Sequence, residues 1–237
     1  MLILALISVG LSGVGLWRLL PHLSVFRLET VRIEGLKRLS EAEVRALLPA
    51  APGENLFVLD LEALRRTLEA HPWVARAQVS RDLPHTLVVR IREERPVALT
   101  KIKEKLYYLN EKGEAFAEAP NEALFHYPVV SYASSELLQK EASFFRLLSW
   151  LDRTDRYLPC YESLSQIYLA PDRILVYTRE GLKIRFEPGD FSSLKEAYRR
   201  LDRVMSYLYD ERLLHRARLV RLDYPEGRAL VAYREGK

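Results

Sequence analysis

The sequence predicts an α+β chain with three parts: an N-terminal transmembrane helix, a β-α-α-β-β unit, and a mixed-sheet domain with flanking helices. Three observations predict it. Met1 to Trp17 contains no charged residue. Between residues 26 and 99, two amphipathic helical stripes stand between one strand and a pair of strands. Beyond residue 105, short alternating strands dominate, interrupted by two longer helical stripes. With 237 residues, the chain can hold an anchor and two modest cores.

The opening run is long enough to cross a bilayer, which needs roughly 20 helical residues. Met1 to Leu20 meets that length, with Arg18 placed to snorkel and Trp17 placed as an interfacial anchor. A cleaved signal peptide and a buried core helix are the competing readings. The first lacks a basic start and a small-x-small cleavage site, and the second would show a polar face beyond Ser8 and Ser12. Residues 1–25 are therefore read as an anchor that meets the membrane through residues 1–20. Arg18, Arg27 and Arg32 all follow the span, and the positive-inside rule would put the body of the chain in the cytoplasm.

Residues 26 to 99 read as one small unit. Val31 and Ile33 alternate with Arg32 and Glu34 in a first strand that ends at Gly35. Ser40 and Glu43 form a capping box, and Val44, Leu47 and Leu48 supply the stripe of the helix it opens. Pro49 and Pro52-Gly53 end that helix. Asp60 caps a second helix with Leu61, Leu64 and Leu68 on one side, and His71-Pro72 stops it. Two strands follow, Val74 to Ser80 and Thr86 to Glu93, joined by a turn at Asp82-Leu83-Pro84. Both helices must bury their stripes on one face of the resulting three-stranded sheet.

The polar stretch Thr100 to Lys105 is read as the boundary to a second domain over residues 100–237. A hairpin is expected from Leu106 to Phe116, turning at Asn110 and Gly113, then a strand from Tyr127 to Tyr132. Ser134 or Ser135 caps a helix with Leu137, Leu138, Phe144, Phe145, Leu148 and Leu151 in one stripe. Strands follow at Ser165 to Leu169, Arg173 to Thr178 and Leu182 to Phe186. A helix starting near Asp190 buries Leu194, Tyr198, Leu201, Met205 and Leu208, with Glu196–Arg200 as an i,i+4 pair. Ala217 to Tyr224 and Arg228 to Arg234 make a closing hairpin around Pro225-Glu226-Gly227.

Little in the sequence speaks for catalysis. Cys160 is the only cysteine, so there is no internal disulfide and no cysteine-based zinc site. The five histidines lack ligand spacing, and no HExxH, Gly-rich phosphate loop or GxSxG occurs. Glu93 and Glu94 fall on opposite faces of a strand and cannot act as an acid/base pair. The net charge of +4 comes from interspersed signs, which reads as a solvated surface rather than a nucleic-acid footprint. No catalytic, cofactor or metal residues, no nucleic acid and no small-molecule substrate are expected.

The β-α-α-β-β order resembles a POTRA (polypeptide-transport-associated) domain. The match is more specific in Val31 to Val44 and Asn55 to Ala98. Within it, HPWVARAQVSRDLPHTLVVRIREERPVA follows the pattern of the FtsQ/DivIB family of bacterial division proteins almost position by position. YYLNEKGEAF and RLVRLDYPEGRALVAYRE are similar to the family's second-domain hairpin and closing strands, though here Arg221 comes first and Asp223 directly precedes Tyr224. The resemblance implies a POTRA domain at 26–99 and an FtsQ-type β domain at 100–237, both outside the cytoplasm, against the charge count. It also implies a non-enzymatic division protein of the inner membrane and septum. Its expected partners are FtsB- and FtsL-like membrane proteins and, through them, the septal peptidoglycan synthase.

Strand addition at the C-terminal sheet edge is the expected mode of binding. The candidate partner-binding residues are Val220, Arg221, Leu222, Asp223, Tyr224, Leu230, Val231, Tyr233 and Arg234. The alternative is a membrane-tethered POTRA protein that handles unfolded polypeptides in secretion or envelope assembly. Such proteins usually carry several POTRA units, and no second copy is visible.

Overall fold

The computed structural model describes residues 24–154, 156–224 and 228–234, and the chain divides into two compact units between Glu94 and Arg95. All but Ser24 and Val25 of the expected anchor lies outside the described residues. Among those described, no helix is long and apolar enough to cross a membrane.

The first unit runs β1 (Thr30–Glu34), α1 (Glu41–Leu47), α2 (Leu61–Glu69), β2 (Val74–Asp82) and β3 (Thr86–Glu93). Local chemistry starts both helices. The Ser40 hydroxyl accepts from the Glu43 N–H while the Glu43 carboxylate accepts from the Ser40 N–H. The Asp60 carboxylate accepts from the Glu62 and Ala63 N–H groups. The sheet order is β1-β3-β2, with β3 parallel to β1 and antiparallel to β2. Val44, Leu64 and Leu68 from the helices and Leu87, Val89 and Ile91 from β3 are buried in one core.

Gly35 ends β1 with φ +90, and a Cβ there would sit 2.1 Å from the Ile91 carbonyl oxygen, so only glycine fits. The chain then turns through Lys37, Arg38 and Leu39. All three donate their N–H groups to the Glu93 carboxylate, at 2.9 to 3.2 Å. Burial pushes the Glu93 pKa up, but these three backbone bonds outweigh it and leave the carboxyl below its ordinary value. Glu93 is thus a clasp between the end of β3 and the entry to α1.

The second unit contains nine strands among the described residues: β4 (Ala98–Ile102), β5 (Lys105–Leu109), β6 (Ala115–Glu118), β7 (Val129–Tyr132), β8 (Leu164–Ala170), β9 (Arg173–Thr178), β10 (Lys183–Phe186), β11 (Ala217–Arg221) and β12 (Leu230–Tyr233). They form one mixed sheet in the order β12-β11-β10-β9-β8-β7-β4-β5-β6. Three helices accompany them: α3 (Glu136–Lys140), α4 (Ala142–Thr154) and α5 (Phe191–Asp210). Phe144, Phe145 and Leu148 of α4 and Tyr198, Leu201 and Leu208 of α5 share one core with Ile167, Ile174, Ile184 and Phe186 of the sheet. Two buried tyrosine hydroxyls are satisfied: Tyr161 donates to the Val97 carbonyl at 2.8 Å, and Tyr198 donates to that of Pro159.

Four expectations need correction. Thr100 to Lys105 is not the boundary, which falls between Glu94 and Arg95, but the end of β4, a turn, and the start of β5. Thr100 is fully buried and donates to the Val130 carbonyl at 3.1 Å. The helix expected after Ser135 is two helices broken at Glu141, and Ser135 makes no side-chain capping bond. The hairpin turn sits against the first of them: a Cβ on Gly113 would lie 2.1 Å from the Leu138 carbonyl oxygen. Glu196 pairs with Arg199 and Arg203 instead of Arg200, which reaches toward the Leu222 carbonyl at 3.5 Å. Finally, β11 ends at Arg221, so Leu222 to Tyr224 leave the ladder.

Candidate partner-binding edge

The nine candidate residues fall on two strands and the residues that follow them: Val220 and Arg221 on β11 with Leu222 to Tyr224 beyond its end, and Leu230, Val231 and Tyr233 on β12 with Arg234 beyond its end. β11 lies inside the sheet, parallel to β10 on one side and antiparallel to β12 on the other. Its backbone is therefore already paired, and of these two strands β12 is the one at an edge; β6 forms the opposite edge of the sheet. Val220 and Leu222 are 0% and 3% exposed and belong to the core, so their side chains cannot meet a partner. The Leu222 N–H donates to the Arg185 carbonyl at 2.9 Å, carrying the β10–β11 contact past the end of the strand.

Arg221 and Asp223 bind each other. The Arg221 Nε and Nη2 donate to the two Asp223 carboxylate oxygens, each at 3.0 Å. The Arg185 Nε lies 2.8 Å from the same carboxylate. The Arg221 hydrogen bonds, then the Asp223 backbone N–H and the charge of Arg185, hold the Asp223 pKa below its ordinary value despite burial. The Arg221 guanidinium also lies 4.9 Å from the centre of the Tyr224 ring. The Arg–Asp order that departs from the family pattern is thus used inside the chain, as a clamp across β10, β11 and the loop leading to β12.

On β12 the alternation of backbone direction can be read from two bonds. The Arg234 N–H donates to the Arg216 carbonyl at 2.8 Å, so it faces β11. Residues two apart share a direction, which turns Ala232 and Leu230 inward and Val231 and Tyr233 outward. The Leu222 bond to Arg185 agrees, because it turns Val220, opposite Val231, toward β10. Among the described residues no strand lies beyond β12. Leu230, Tyr233 and Tyr224 are each about two-fifths exposed (37%, 42% and 37%), Arg234 is exposed, and Val231 packs partly on the core.

Sequence reasoning missed Arg185, which acts from a distant strand. Its alternation with Ile184 and Phe186 marks it as outward-facing, but not as the partner of Asp223. Cys160 and His215 both line a groove of about 1080 Å³ at the C-terminal end of α5. Among the described residues no hydrogen bond joins them, and no group of three His, Cys, Asp or Glu is arranged to hold a metal.

Comparison with known proteins decides the family. The model of the FtsQ-type POTRA domain matches residues 26–94. The cell division protein FtsQ of Anaeromyxobacter sp. (strain K) is 34% identical over 229 residues, which cover 93% of this chain and 76% of that protein. The chain belongs to the FtsQ family of cell division proteins. FtsQ of Myxococcus fulvus is 33% identical over 70% of this chain and 60% of its own length. FtsQ of Syntrophotalea carbinolica is 31% identical over 71% and 62%. A solved structure of the major extracytoplasmic domain of the trans isomer of DivIB from Geobacillus stearothermophilus is 19% identical. It covers 43% of this chain and 85% of that one at a TM-score of 0.32, and adds nothing to the fold already described. Membership of the FtsQ family makes this a cell division protein whose first unit is a POTRA domain.

Proposed function

We propose that this FtsQ-family chain is a non-enzymatic, membrane-anchored scaffold that captures a partner strand along β12. In this reading residues 1–20 anchor it in the inner membrane at the septum. The POTRA domain, expected at 26–99, ends instead at Glu94, because Ala98 and Leu99 belong to β4 of the large sheet; the FtsQ-type β domain, expected at 100–237, starts at Arg95, and both lie outside the cytoplasm. The partners are FtsB- and FtsL-like membrane proteins, which link it to septal peptidoglycan synthesis. The observation that carries the reading is the outward backbone of Val231 and Tyr233 at the end of a nine-stranded sheet. An incoming extended segment satisfies those donors and acceptors with main-chain hydrogen bonds. Leu230, Tyr233, Arg234 and Tyr224 then supply side-chain contacts beside it. Val220 and Leu222 act only by holding β11 in place.

The test is recovery of division proteins from membranes with the full chain as bait. Replacing Tyr233 by Pro removes an outward N–H without touching the β11 ladder and should lower recovery at least tenfold, with the melting temperature nearly unchanged. Tyr233→Ala, which keeps the N–H, should retain more. Equal recovery by the wild type and Tyr233→Pro would overturn strand addition. Normal septation in cells depleted of the protein would overturn the division role itself.

A further inference from the structure

The small sheet has an edge of its own at β2, and it is occupied. Glu69, the last residue of α2, reaches across to accept the Ala77 N–H at 3.0 Å. Ala77 is paired with Ile91 in the β3 ladder, so this is an amide on the outer side of an edge strand meeting a side chain instead of another strand. Arg65, one turn earlier on α2, holds the other Glu69 oxygen and is itself paired with Glu62. The bond from Ala77, opposed by burial and aided by Arg65, keeps the Glu69 carboxyl below its ordinary pKa and therefore an acceptor. At the far end of the strand, the Arg81 Nε and Nη2 donate to the Leu56 and Leu59 carbonyls at 2.6 and 2.8 Å, stitching β2 to the loop before α2. A groove of about 450 Å³ beside the Glu69 contact is lined by Arg65, Glu69, Ala77, Val79 and Arg90, among others.

A nine-residue edge strand with free outward amides would pair with any extended backbone, and an identical copy can pair with it about a twofold axis. We propose that Glu69 is a side-chain plug that holds the β2 edge closed to strand pairing with a second copy of this chain. Val79 shares the outward direction of Ala77, so a strand docking there must displace the carboxylate first. The plug acts on the small sheet alone and does not depend on what β12 binds.

The test compares Glu69→Ala, Glu69→Gln and the wild type as full chains in detergent. Amide exchange is read at Ala77, with Val89 in the central strand as internal reference, and self-association is read by sedimentation. Losing one hydrogen bond should speed Ala77 exchange about tenfold in Glu69→Ala while Val89 stays slow. The same variant should form dimers whose fraction rises with concentration beyond the wild type. Glu69→Gln keeps an acceptor oxygen and should resemble the wild type in both signals. Unchanged Ala77 exchange or wild-type sedimentation of Glu69→Ala overturns the plug. Equal acceleration at Ala77 and Val89 also overturns it, because Glu69 would then support the fold and not the edge. Neither signal reports on capture at β12, so each proposal can fail alone.

Discussion

In the small sheet, the outer backbone of β2 is met by Glu69 at Ala77, and on the opposite edge Arg45 donates to the Val31 carbonyl of β1 at 3.1 Å. In the large sheet, β12 ends the ladder with Val231 and Tyr233 facing outward and no strand beyond them among the described residues. Both edges carry the same hydrogen-bonding groups. The difference lies in whether a neighbouring helix or loop supplies a side chain long enough to reach them. The contrast teaches that an edge strand is not by itself a binding site. At the β2 edge the outward Ala77 amide is met by its own unit, and the β12 edge is held in shape by a charge clamp with no strand beyond it among the described residues.

The sharpest way to break this comparison is to remove the support of β12 without touching it. Phe145 is fully buried between α4 and the sheet. Phe145→Ala should cost about 3–5 kcal/mol of the second unit's stability and lose partner capture with it. The melting of the POTRA unit, followed through Trp73, should stay in place. A variant that loses capture while both units melt as in the wild type would show that the edge does not rest on that core.

A smaller effect is expected at the clamp. Asp223→Asn leaves Arg185 and Arg221 facing each other without their carboxylate, at a cost of about 2 kcal/mol. Urea unfolding should show it. Because β12 hangs on β11, capture should weaken even though Asp223 never touches the partner. Unchanged stability would mean that the clamp is idle.

The smallest effect is in acid, and it separates the units. Glu93 is held below its ordinary value of 4.5 by backbone bonds that outweigh burial. A carboxyl with a lowered folded pKa contributes its full stability above the ordinary value, and that contribution is lost as the pH falls through the lowered one. The POTRA unit should therefore melt at progressively lower temperature as the pH drops below about 4.5. Glu93→Gln should lower the melting temperature at neutral pH and flatten the acid dependence of this unit only. A wild-type acid slope in the variant would remove Glu93 as the cause.

What could be read from the sequence was local. Ser40 with Glu43, Asp60 and Asp190 each cap a helix through atoms two or three residues away, and all three caps are present. The stripe from Leu194 to Leu208 is buried as its spacing requires. What escaped was set by distant neighbours. Thr100 to Ile102 is polar enough to pass for a domain boundary, yet β5 and β7 pair with that stretch and complete a strand. The break at Glu141 has no glycine or proline to announce it. The position of β11 inside the sheet, which removes Val220 and Leu222 from the candidate surface, follows from a parallel pairing with β10 that no local pattern encodes. The same holds for Arg185 on Asp223 and for Glu69 on Ala77.

The most direct test of strand addition is amide hydrogen exchange at Val231 and Tyr233, in the full chain with and without its FtsB-like partner. Both amides should exchange quickly in the free protein and become protected by at least tenfold in the complex, while the inward amide of Ala232 changes little. Binding of the partner with Val231 and Tyr233 still exchanging freely would contradict the account.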